Sequence, residues 1–128
     1  MNELSQLLAG GVEISNDLIK DGKMLVPEFQ DGEAYVLCIG LKNLNTTDSS
    51  WKQLAFKDYN EVVQAYKEIY HKSKLIKAKY PSLDTVVHIM VFVDGENDLL
   101  GREFRLHCKL CDWARKQDEL DKMKVYEN

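Results

Sequence analysis

Tyr59, Val62, Tyr66, Ile69, Ser73, Ile76 and Tyr80 recur at alternating steps of three and four residues. That spacing follows the 3.6-residue turn of an α-helix and draws one stripe along one face. Asp58 stands where an N-cap belongs, with Glu61 three residues on, a capping-box pattern with Asp in the Ser/Thr role. Pro81 forbids continuation and sets the end. A helix striped on one side must bury that side, and the chain offers two continuous apolar runs to receive it, Ala34–Leu41 and Val86–Val93. Leu75 falls on the far side of the helix while Lys77 falls near the stripe, so either the helix changes register near Ser73 or Leu75 is offered to another surface.

The flanking segments read as strands. Met24-Leu25-Val26 leads through Pro27 to Asp31-Gly32, a pair that favours tight hairpin turns, and then into 34–41. Pro27 cannot donate to a ladder, so the first arm is expected at an edge and the second at the centre of a sheet. Residues 42–53 are polar and are expected to form a loop. The run 86–93 is apolar on both alternating faces, which predicts a buried central strand turning at Asp94-Gly95. Phe104, Leu106, Cys108 and Leu110 alternate with Glu103, Arg105, His107 and Lys109. This period of two favours a strand over 103–110, with a helix over 99–111 as the alternative. From Asp112, Trp113, Ala114, Leu120 and Met123 among charged residues predict an amphipathic helix.

At the N-terminus Leu4, Leu7 and Leu8 predict a short helix ending at Gly10-Gly11. Ser15 is a candidate cap for a further helical turn through Asp17-Leu18-Ile19, stopped by Asp21-Gly22. The expected order is α-ββ-α-ββ-α, a two-layer α+β domain with an antiparallel sheet of about four strands covered by helices. A length of 128 residues suits one domain spanning 1–128, with 1–23 as a semi-independent helical segment.

Charge is unevenly spread. Residues 1–34 hold seven acids against Lys20 and Lys23, whereas 67–80 hold Lys67, Lys72, Lys74, Lys77 and Lys79 against Glu68. Lys67, Tyr70, His71, Lys72, Lys74 and Lys79 are thus the candidate binding residues, with lysines for phosphates and Tyr70 as a stacking platform. A pI near 5.4 lacks the strongly basic balance that duplex binding usually needs, and lysines on a wet helix face are ordinary.

Cys108-Lys109-Leu110-Cys111 with His107 is the sharpest motif, because CxxC recurs at zinc and redox centres. A structural zinc wants four ligands, and only Cys38, His71 and His88 remain to supply them unless a second chain does. Buried or half-buried thiols are the commoner fate of such a pair. Only 17 residues follow Cys111, too few to complete a thioredoxin-like fold around a redox CxxC. Asp94-Gly95-Glu96-Asn97-Asp98 lacks the spacing of a calcium loop and reads as a turn. His88, set in an apolar run, is expected to be a core histidine, and His71 to be solvated.

No nucleophile elbow, Walker loop, dinucleotide fingerprint or HExxH is present. Three cysteines and no basic, apolar leader predict free thiols in a reducing cytoplasm, and no run is long enough to span a membrane. The chain therefore reads as a small binding or accessory protein rather than an enzyme, docking to a protein partner or to itself. A nucleic-acid module on helix 67–80 is the alternative, and a zinc-binding protein the weaker one.

Overall fold

Apolar side chains on both faces of residues 34–41 call for cover above and below the strand they form. The computed structural model describes residues 3–15, 19–20, 23–24, 26, 33–93 and 99–126, and its elements run α1 (Glu3–Leu7), β1 (Val12–Ile14), β2 (Ile19–Lys20), β3 (Lys23–Met24), β4 (Glu33–Asn43), β5 (Ser49–Phe56), α2 (Tyr59–Lys79), β6 (Leu83–Val93) and α3 (Leu99–Tyr126). The main sheet has the order β1-β5-β4-β6 with every pairing antiparallel, and β2 and β3 form a separate two-stranded ribbon. With helices on the sheet, the chain has an α+β fold, as the apolar runs predict.

Strand β4 is central and pairs along its whole length with β6, from Glu33↔Val93 to Asn43↔Leu83. Its other edge pairs with β5, from Tyr35↔Phe56 to Lys42↔Ser49. Because β5 and β6 flank β4, the connection through α2 crosses over it, a β-α-β unit with a strand inserted between its arms. One face of the sheet presents Tyr35, Leu37, Ile39, Leu41, Leu54, Phe56, Ile89 and Val91 to the helices. Leu4 and Leu7 of α1, Val62, Ile69 and Ile76 of α2, and Leu106 and Leu110 of α3 close that core. The stripe on α2 lands on the sheet as its spacing requires. Asp58 caps the helix by accepting from the Asn60 amide at 2.9 Å, and the Tyr80 amide closes its end on the Ile76 carbonyl at 2.7 Å.

Several local expectations are corrected. Of the loop expected over 42–53 only 44–48 connect strands, because β4 runs to Asn43 and β5 begins at Ser49. The polar side chains of 42–53 sit on the exposed half of a hairpin, where the ladder needs only backbone, and burial begins at Leu54. The tight turn is held by Asn43, whose carbonyl accepts from Thr47 and whose Oδ1 accepts from Asn45, with Thr47 in the left-handed region at φ 65°. Residues 103–110 are helix, not strand, since Leu106 and Leu110 are buried one turn apart while Phe104 is 67% exposed. In the expected arm at 24–26, Met24 pairs with Ile19 rather than with β4. Lys23–Met24 joins Ile19–Lys20 instead, because both edges of β4 are taken. Ile19 is accordingly extended rather than helical. Pro27, Asp31-Gly32, Asp17-Leu18, Asp21-Gly22 and the loop Asp94–Asp98 lie outside the described residues.

Strand β6 is the last correction. Among the described residues it is an edge strand, not a central one. Its two apolar faces are explained by burial above and below the sheet: Ile89 and Val91 face the helices, while Met90 and Phe92 pack with Ile14, Val26, Ala34, Val36 and Ala55 on the other side.

Candidate functional site

Four of the six candidate binding residues of α2, Lys67, Tyr70, His71 and Lys74, meet α3 rather than solvent alone. The two helices run side by side, and Trp113 of α3 inserts between three aromatic groups of α2. Its ring stands edge-on to Tyr66, Tyr70 and His71 at centroid distances of 6.4, 5.1 and 5.6 Å. Lys67 places its ammonium 5.4 Å from the Trp113 centroid. Tyr70 donates to the Ala114 carbonyl at 3.2 Å and to the Asp118 carboxylate. Lys74 pairs with Asp118 at 2.8 Å and with Asp121, and lies 4.7 Å from the Tyr70 ring.

The electrostatics follow from these contacts. Burial works against the Lys74 ammonium, but its hydrogen bonds to Asp118 and Asp121 outweigh that and hold its pKa above the ordinary lysine value. Lys74, then the Tyr70 hydroxyl, holds the Asp118 carboxyl below its usual range. Burial raises the Tyr70 hydroxyl, helped by its bond to Asp118, and raises Tyr66, helped by the nearby Cys111.

The remaining lysines are also engaged. Lys72 donates to the Leu8 carbonyl at 3.2 Å, Lys77 binds Asp84 at 2.7 Å, and Lys79 lies 5.4 Å from the Tyr80 centroid. Among the described residues, the ammonium groups of the four candidate lysines, and that of Lys77, are thus answered by carboxylates, carbonyls or rings. Tyr70 is half-buried in the seam rather than displayed as a platform. His71 is exposed, as expected. Trp113, Asp118 and Asp121 were not among the expected site residues. They fall in the helix expected from Asp112, but the sequence carries no signal that this helix packs beside α2.

Of the expected metal set, the structure brings two residues together. His107 Nε2 and Cys111 Sγ lie 3.4 Å apart, one helical turn separating them on an exposed surface of α3. Cys108 is half-buried and takes no part in that contact. All three cysteines are free thiols, and no group of three or more His, Cys, Asp or Glu gathers for a metal among the described residues.

The second face of the sheet is the other unassigned surface. Its cluster around Val36 and Ala55 gives way along β4 to Cys38 and Gly40, where Trp51 and His88 lie on top. The two rings stack, with centroids 5.8 Å apart and planes 17° from parallel. Trp51 is 41% exposed and donates to Ser49 Oγ at 3.3 Å. His88 is exposed, so it is not the core histidine its apolar run predicts. The side chains of an edge strand on an uncovered face meet water even when their neighbours in sequence do not.

No helix among the described residues is long and apolar enough to cross a membrane. Compared with family models, with curated proteins and with solved structures, the chain finds no match.

Proposed function

We propose that the chain is a small binding protein that docks through the free edge of β6, and that its first partner there is a second copy of itself. One observation carries this reading: β6 spans 11 residues, Leu83–Val93, and among the described residues pairs on one side only. An unpaired strand edge is a template for another strand, which proteins usually blunt with lysine, proline, a bulge or extreme shortness. The opposite edge of the sheet follows that practice, since β1 has three residues and carries Glu13. Strand β6 has neither Lys nor Pro, and its single charge, Asp84, is engaged by Lys77. Antiparallel pairing of two β6 strands about a two-fold axis satisfies both edges at once and extends the sheet across the pair. Val86, His88 and Trp51 then line a continuous open face. The absence of any catalytic motif in the sequence agrees with a docking role, and free thiols suit a reducing cytoplasm.

The test is sedimentation equilibrium over a concentration series, comparing the wild type with Val86→Lys/His88→Lys. Both positions sit on the open face at the edge, so the double variant is expected to fold while its lysines repel across the axis. A dimer in the wild type that becomes monomeric in the variant is the expected result. A wild type that stays monomeric at every concentration, or a dimer indifferent to the two lysines, overturns the proposal.

A further inference from the structure

The third and fourth turns of α3 hold two donor atoms at a distance that fits a metal ion. His107 and Cys111 are four residues apart, so their side chains project from the same strip of helix surface. Their donor atoms are 3.4 Å apart. A tetrahedral zinc ion sits about 2.05 Å from an imidazole nitrogen and about 2.3 Å from a thiolate, which sets those two atoms about 3.6 Å apart. The helix backbone therefore presents the pair close to the bite of the ion, with little reorganisation to be met on binding. Both side chains are exposed, so an ion can reach them from solvent.

We infer that His107 and Cys111 form a two-donor clamp for a thiophilic divalent cation, with Zn²⁺ as its best fit. Imidazole nitrogen with thiolate sulfur selects zinc and its borderline-soft relatives over magnesium or calcium, which need oxygen donors. Binding displaces the Cys111 thiol proton to solvent and leaves the imidazole neutral, so the short contact between the two groups is exchanged for two metal bonds. Two positions on a four-coordinate ion stay open for water or for donors from another molecule, unlike a closed structural site. Cys108 lies outside the clamp. Although CxxC is the visible motif, on a helix the working pair is i and i+4, and that spacing selects the histidine before the first cysteine.

Cobalt(II) gives the test, because thiolate bonded to Co²⁺ produces a charge-transfer band in the near ultraviolet. Titrating the full chain with Co²⁺ is expected to raise that band, and added Zn²⁺ to bleach it. Cys111→Ser is expected to abolish the band. His107→Ala should weaken affinity by more than the roughly 10–100-fold that loss of an outer-shell partner costs. Cys108→Ser should leave both unchanged, and the circular dichroism of all three variants should match the wild type. One ion per chain, or one per two chains through a second copy of the pair, both accord with the clamp. Absence of the band in the wild type, its survival in Cys111→Ser, or its loss in Cys108→Ser alone overturns the proposal.

Discussion

A Cβ built on Gly40 lies 2.7 Å from the Trp51 ring, nearer than real side chains approach. The indole is therefore laid flat over backbone, and the missing side chain at this position is what lets it reach His88. Gly40→Ala is expected to lift Trp51 off the sheet, break the stacking and cost about 1–3 kcal/mol by overpacking. Tryptophan emission shifted to the red, with a lower denaturation midpoint, is the outcome expected; unchanged emission and stability would show that the ring does not depend on the glycine. Gly11 obeys the same logic more strictly, since φ is 72° and an added Cβ would meet both the Phe56 ring and the Ala55 carbonyl.

Helix α3 is where periodicity misled at the scale of an element. Phe104, Leu106, Cys108 and Leu110 alternate perfectly, yet only Leu106 and Leu110 are buried, and they satisfy a helical repeat as well as a strand repeat. A charged helix leaning on its neighbours carries one narrow apolar stripe, so a short window holds too few apolar residues to separate the two periods. The site stayed hidden for a different reason: Trp113, Asp118 and Asp121 fall in the helix expected from Asp112, but their partners lie on α2, and sequence periodicity does not say which helices pack together. Helix α2 was legible because its stripe runs through seven positions, and β4 because both of its faces are apolar. Strand β5 was not, since half of it is polar and its pairing is a backbone property. Two substitutions separate the readings of α3. Leu110→Ala should cost about 2–5 kcal/mol by opening a cavity beside the sheet, whereas Phe104→Ala should change stability by no more than about 0.5 kcal/mol. Equal losses in urea unfolding would mean that both side chains share a buried face, as a strand requires.

For the molecule as a whole, the net charge of −4 conceals an internal settlement in which Lys74 of α2 is met by Asp118 and Asp121 of α3 and Lys77 by Asp84 of β6. Its pH dependence has a definite sign. The Asp118 pKa is depressed in the folded protein, so its contribution is present above the unfolded carboxylate range and is lost as pH falls through the folded value. Lys74 is raised, so its contribution is present throughout neutral pH and disappears only as pH climbs through its folded value. Both side chains are more than a third exposed, at 38% and 56%, and solvent screening limits the pair to about 0–1 kcal/mol. Asp118→Asn should therefore lower the urea midpoint at neutral pH and approach the wild type in acid; a gap that stays constant down the acid range would remove the ion pair from the account. The crossover of α2 over β4 has a consequence in time as well as in space. β4 meets β5 across a tight turn, but its longest pairing joins residues that lie 40 positions apart at Asn43↔Leu83 and 60 apart at Glu33↔Val93. A growing chain can zip the hairpin early, yet it must hold that hairpin open-edged until β6 has been synthesised and returns. Loop-closure entropy thus falls on the last strand to arrive, and the slow event in folding is the docking of β6.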